Sequence, residues 1–233
     1  MPEIQIGGLV SFTTIDYPGK LAAVVFLVGC PLRCTYCSNP HLLSPRNGEY
    51  DQEKILDWLA QRVGKLEAVV FSGGEALMQG DALIDYVKRV REMGFKIGLH
   101  TNGFYPQVLQ RISEFVDWIG LDFKTTKQKY CDLTKQNIAY ENMMQSLDIW
   151  LATNKDIEVR ITCDPRYVNK DDLVEITNIL SGKGVKNIAI QKYIPHFEDE
   201  DNKTTDAMRN QIFIDEQLRH GIDKQFESVV WRE

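Results

Sequence analysis

No stretch of this sequence stays apolar long enough to cross a membrane: its longest strongly apolar run, Leu21–Gly29, falls far short of the ~20 residues a membrane helix requires. The start, MPEIQIGG, lacks the basic residues and apolar core of a secretory signal. Basic charge is in deficit, with 27 Lys and Arg against 33 Asp and Glu and a formal net charge of −6. That balance excludes a protein whose main task is to coat nucleic acid, because neutralising phosphates needs a basic surface. Cysteine is scarce and odd in number, five in 233 residues, which does not suit a disulfide framework. Repeats, low-complexity tracts and linkers are also missing, so one domain over 1–233 is expected. A composition of 43% hydrophobic and 26% charged residues excludes a disordered chain. These features together predict a cytoplasmic globular protein that engages neither membrane nor nucleic acid.

Against that background the cysteines that are present stand out, because Cys30, Cys34 and Cys37 lie on one short stretch with the spacing C-x3-C-x2-C. Three thiolates on a single loop suit a metal centre better than a disulfide. Thiolates hold iron–sulfur cubes, normally four per cube; three leave one iron open for a substrate. The alternative is a closed zinc site in which His41 completes C-x3-C-x2-C-x3-H. The loop follows the apolar run Leu21–Val28, a buried-strand pattern of the kind that opens a parallel sheet, whereas zinc knuckles usually sit on short hairpins.

The rest of the chain alternates strand and helix. Apolar runs predict strands at Ala22–Val28, Glu67–Phe71, Lys96–His100, Val116–Asp122, Ile157–Thr162 and Asn187–Gln191. Helical spacing recurs between them, at Ile55, Trp58, Leu59 and Val63, at Leu83, Ile84, Val87 and Val90, at Leu147, Trp150 and Leu151, and at Leu173, Ile176, Thr177 and Leu180. Six such units predict an α/β chain with a parallel sheet, an incomplete (β/α)6 TIM-like barrel, whose chemistry gathers at the C-terminal strand ends. Those ends read Ser72-Gly73-Gly74-Glu75, His100-Thr101-Asn102-Gly103 and Asp122-Phe123-Lys124, then Arg160, then Gln191-Lys192-Tyr193. Paired glycines admit close backbone approach, Glu75 suits an ammonium group, and Lys124 or Arg160 suits a carboxylate. The set describes a pocket for a zwitterionic small molecule.

These residues resemble the radical S-adenosylmethionine superfamily, in which Cys-x3-Cys-x2-Cys binds a [4Fe–4S] cluster. Tyr36 matches the aromatic residue usual before the third cysteine. The segment Asp16-Tyr17-Pro18-Gly19-Lys20, then GCPLRCTYCSNPHLL, FSGGEAL and LHTNG, is similar to activating enzymes of glycyl-radical proteins, above all activators of anaerobic ribonucleoside-triphosphate reductase. The likeness runs over 7–193, leaving 194–233 as a C-terminal extension expected to pack on the barrel. It implies that Cys30, Cys34 and Cys37 ligate three irons while S-adenosylmethionine chelates the fourth. It implies cofactor contacts from Gly73, Gly74 and Glu75, from Asp122 and Lys124, and from Arg160, Gln191 and Tyr36. It implies a glycyl-radical enzyme as partner and a flavodoxin- or ferredoxin-type electron donor. Two positions depart from the pattern. Ser38 stands where many relatives have His. His100 stands where pyruvate formate-lyase activators carry an Asp that helps bind a monovalent cation, and imidazole replaces a carboxylate poorly around a hard ion.

Three other readings are an activator of another glycyl-radical enzyme of the pyruvate formate-lyase type, a radical S-adenosylmethionine enzyme acting on a small molecule, such as a deazapurine-forming one, and a zinc-stabilised binding module. Cys131 and Cys163 are too few for a second cluster and read as buried structural cysteines. His41, His196 and His220 read as ordinary loop or surface residues, and the acidic run Glu198–Asp201 as a solvated loop.

Overall fold

The computed structural model describes residues 3–195 and 204–233, so His196 and the acidic run Glu198–Asp201 lie outside the described residues. Among the described residues eight strands follow one another across one sheet in sequence order: β1 (Ile6–Thr13), β2 (Ala22–Leu27), β3 (Ala68–Gly73), β4 (Lys96–Thr101), β5 (Trp118–Asp122), β6 (Asp156–Cys163), β7 (Asn187–Lys192) and β8 (Ser228–Arg232). Sequential order with helical crossovers is the topology of an incomplete (β/α) barrel. The six strands expected from the sequence are β2 to β7. β1 and β8 add to them, and β1 runs antiparallel to β2, so the sheet is mostly rather than wholly parallel.

The chain forms two compact units, one of Met1–Pro31, Asn39–Gly120 and Asn142–Asp156, the other of Leu32–Ser38, Leu121–Glu141 and Ile157–Glu233. In the first, β2 and β3 pair in register from Ala22↔Ala68 to Leu27↔Gly73. Val24, Val25, Leu27, Val69, Val70 and Phe71 are fully buried, which is why both strands read as unbroken apolar runs. Each such side chain contributes about 1.5–3 kcal/mol through burial. Helix α1 (Gln52–Ala60) starts at Asp51, whose carboxylate accepts from the Glu53 and Lys54 N–H groups. Helix α2 (Gly80–Glu92) buries Leu83, Ile84, Val87 and Val90, the stripe expected from its spacing. Helix α3 (Pro106–Ile112) begins on a proline, which suits a first turn that needs no N–H partner.

The second unit contains α4 (Lys127–Thr134), after which α5 (Ala139–Leu151) continues into the first unit. Helix α6 (Lys170–Gly182) opens on a reciprocal cap between Asn169 and Asp172. Helices α7 (Asp206–Asn210) and α8 (Glu216–Asp223) lead to β8, which pairs with β7 in parallel from Asn187↔Ser228 to Gln191↔Arg232. Residues 204–233 therefore add a strand to the sheet. Among the described residues no helix is long and apolar enough to cross a membrane.

Candidate active site

In the first unit the site is built from the ends of β2, β3 and β4. Beyond β2 the backbone is held by a short helical turn at Pro40–Leu42: Gly29 N donates to Leu42 O at 2.7 Å and Cys30 N to Leu43 O at 3.1 Å. Cys30 is buried there, while His41 on the turn is exposed. The two glycines after β3 are required by packing. Gly73 has φ +130° and a Cβ on it would lie 2.1 Å from Leu27 O; on Gly74 it would lie 2.4 Å from Gly29 O. Gly74 N and Glu75 N donate to Leu27 O at 2.9 Å and Gly29 O at 2.7 Å.

The Glu75 side chain is 1% exposed. Its Oε1 accepts from Leu77 N at 3.1 Å and Thr101 Oγ1 at 2.7 Å, and its Oε2 accepts from Asn102 N at 2.7 Å. The carboxylate therefore braces the end of β3 against the end of β4. Three short acceptor bonds satisfy a charge that would be costly to bury alone.

The Asp16–Lys20 segment packs on the same unit. Tyr17 stacks on Trp118 with ring centroids 5.0 Å apart, over Gly98, where a Cβ would come within 3.0 Å of the Tyr17 ring. Burial, with the nearby Asp117 and Asp156 charges, pushes the Tyr17 hydroxyl up to about 12. Thr13 Oγ1 donates to Asp16 Oδ2 at 2.6 Å, and His100 Nε2 lies 2.8 Å from Asp16 O.

The second unit carries Cys34, Tyr36, Cys37, Asp122, Lys124, Arg160 and Gln191. Cys37 N donates to Cys34 O at 3.2 Å, closing a turn that contains Tyr36. Burial pushes the Cys34 thiol up to about 11, while the Lys124 ammonium pulls it the other way. Tyr36 is buried with Leu133 and Tyr193, and its ring lies 5.7 Å from Lys124 Nζ. Asp122 and Lys124, two residues apart at the end of β5, form an ion pair of 2.8 Å. Burial disfavours the Lys124 ammonium, but the Asp122 carboxylate leads the groups that outweigh it and keep the lysine charged.

Glu158 and Arg160 project from one face of β6, where Arg160 Nε donates to Glu158 Oε1 at 2.8 Å. Arg232 Nη2 approaches both oxygens of that carboxylate at 2.9 Å. Gln191 is aligned with Thr162 on one side and Arg232 on the other. Sequence reasoning assigned no role to Thr101, Asn102, Glu158 or Arg232. The TNG run that begins on the last residue of β4 is a visible signal for the first two; Arg232 joins Glu158 only through the placement of β8. Cys163 is buried, as expected, but Cys131 is exposed on α4 and its thiol donates to Asn137 Oδ1 at 2.8 Å, a correction to its reading as a buried residue.

The residues suit a sulfur-ligated cluster and a polar cofactor. Cys30 Sγ receives an amide N–H from Asn102 at 3.7 Å. The buried Tyr36 hydroxyl has no hydrogen-bond partner among the described residues, which is the condition of a polar group awaiting a ligand or water. Among the described residues no three His, Cys, Asp or Glu side chains are grouped to hold a single metal ion.

The family model described as the Radical SAM superfamily matches residues 24–180. A Methanocaldococcus jannaschii protein named as a glycyl-radical enzyme activating enzyme is 29% identical over 218 residues, covering 89% of this chain and 88% of its own. The pyruvate formate-lyase 1-activating enzyme of Escherichia coli is 30% identical over 182 residues, covering 72% of each. A 7-carboxy-7-deazaguanine synthase of M. jannaschii is 26% identical over 195 residues, covering 77% and 78%. Among solved structures, Streptococcus suis SuiB bound to S-adenosylmethionine aligns with a TM-score of 0.68 at 12% identity, over 88% of this chain and 48% of that one, a likeness of fold. The family implies a [4Fe–4S] cluster and S-adenosylmethionine. The chain belongs to the Radical SAM superfamily and is an enzyme of its glycyl-radical enzyme activating family.

Proposed function

We propose that this protein installs the glycyl radical of an anaerobic ribonucleoside-triphosphate reductase. The observation that carries the reading is the Asp16–Lys20 segment, seated on the sheet through Tyr17 and Trp118, ahead of the cysteine loop. Bound at these residues, the cluster and S-adenosylmethionine would supply one-electron reductive cleavage of the sulfonium to methionine and, by removal of one hydrogen atom from a backbone glycine of the partner, 5′-deoxyadenosine.

Cys30, Cys34 and Cys37 are the thiolate ligands in this reading, and Lys124 offsets negative charge beside Cys34. Gly73, Gly74 and Glu75 are the contacts to the methionine end of the cofactor in this reading; packing against the Leu27 and Gly29 backbone fixes the two glycines, and the end of β4 holds the Glu75 carboxylate. Asp122 and Lys124 offer one charge of each sign to an amino acid moiety, and the Tyr36 hydroxyl offers an unused polar atom. Arg160 is oriented by Glu158, with Gln191 on the neighbouring strand. A flavodoxin- or ferredoxin-type protein supplies the electron. Holding the sulfonium in place makes electron transfer a positioned event rather than an encounter.

The test is anaerobic reconstitution with iron and sulfide, reduction, and electron paramagnetic resonance with S-adenosylmethionine and the reductase. A cluster signal that changes on adding S-adenosylmethionine, followed by a glycine-centred doublet, is the expected result. Cofactor cleavage without the doublet redirects the search to another glycyl-radical enzyme or, given the deazaguanine synthase relative, to a small-molecule substrate.

A further inference from the structure

Asn102 has no part in the proposal above, yet it links the Glu75 brace to the cysteine loop. Its own N–H donates to Glu75 Oε2 at 2.7 Å, and its Oδ1 accepts from Phe104 N at 3.0 Å. A backbone N–H only donates, so the Phe104 bond determines which side of the amide is oxygen. The remaining side, Nδ2, faces Cys30 Sγ at 3.7 Å. Asn102 is 7% exposed, Cys30 6% and Glu75 1%, so water competes little for any of these bonds.

An amide N–H aimed at a thiolate is a charge-assisted bond, strengthened where the local dielectric is low. Reducing a cluster adds negative charge that is shared with its thiolate ligands, so such a donor favours the reduced state. We propose that Asn102 sets the cluster's reduction potential, raising it through the Nδ2–H bond to the Cys30 sulfur. This rests on the ligation by Cys30 proposed above. It makes Asn102 a positioning and tuning residue, oriented by Glu75 and the Phe104 backbone.

The experiment is a redox titration of the reconstituted protein without S-adenosylmethionine, followed by electron paramagnetic resonance. Asn102→Asp keeps an oxygen for Phe104 N but loses the donor, and Asn102→Leu loses both without adding charge. Both variants are expected to show a lower potential than wild type, Asp the lower of the two. A Leu variant at the wild-type potential overturns the inference, even if Asp alone is shifted, because charge would then explain the change. If neither variant folds, wild-type protein labelled with 15N in its asparagine side-chain amides decides the matter. Pulsed resonance of its reduced cluster is expected to show a 15N coupling, and none would overturn the inference. Wild-type protein that takes up no cluster instead removes the ligation on which the inference depends.

Discussion

His100 and Asp16 meet through a hydrogen bond in which the imidazole Nε2 approaches the Asp16 carbonyl oxygen at 2.8 Å. A carbonyl oxygen only accepts, so Nε2 carries the proton and donates. The same ring lies edge-on to Trp118, 5.7 Å between centroids, and Trp118 stacks on Tyr17. His100 is thus part of the attachment of the Asp16–Lys20 segment.

Replacing His100 by Ala removes the donor and the edge contact. The expected loss is about 1–2 kcal/mol of unfolding free energy, measured by denaturant titration of the apoprotein. His100→Asp is expected to lose at least as much, since its carboxylate would face a carbonyl oxygen.

Glu75→Gln offers a second stability test. One Glu75 oxygen faces Leu77 N and the Thr101 hydroxyl, and the other faces Asn102 N. Whichever way the Gln amide turns, its NH2 group meets a backbone N–H that also donates. The expected cost is about 1–3 kcal/mol, the penalty of an unsatisfied buried donor. A variant as stable as wild type would contradict the bracing role.

The cysteines separate by function. Cys30→Ala, Cys34→Ala and Cys37→Ala are each expected to abolish a stable reconstituted cluster, read as iron and sulfide content and loss of the brown colour. Cys131→Ala, Cys163→Ala and His41→Ala are expected to retain both. Loss of iron from the His41 variant would favour the zinc-type ligand set.

Alkaline pH provides a further check on the free thiols. Burial pushes the Cys163 thiol far above its ordinary 9.0 and the Cys34 thiol up to about 11. Above pH 9 the unfolded chain ionises these thiols while the folded chain does not, so the unfolded state binds fewer protons. Their contribution to stability is therefore complete below about pH 9 and falls as pH rises through the folded values. Denaturation of the apoprotein between pH 8 and 11 should show that decline, and Cys163→Ser should make it shallower.

Much of the molecule is legible in its linear order. Strands β2 to β5 and β7 appear as apolar stretches because a sheet covered on both faces buries consecutive side chains, whereas β6 is legible as an alternation of Ile157, Val159 and Ile161 with Glu158, Arg160 and Thr162. The cysteine spacing, Gly73-Gly74-Glu75, Asp122 and Lys124 are visible because each set sits at the end of such a run, and family membership follows from the same residues. β1 does not stand out in the sequence, because Val10 and Phe12 are exposed on an edge strand and break the buried-strand pattern. β8 is hidden for a similar reason, since all five of its residues remain at least partly exposed.

What only the tertiary structure decided is how these residues are held. No pattern in the sequence joins Glu75 to Thr101 and Asn102, or Glu158 to Arg232, 74 positions away. Nor does it show that His100 donates to Asp16 across 84 positions. Hydrophobic periodicity records which face of an element is buried, a local property of the chain. Hydrogen bonds between strand ends depend on which strands become neighbours and in what register, and that is settled only when the sheet assembles.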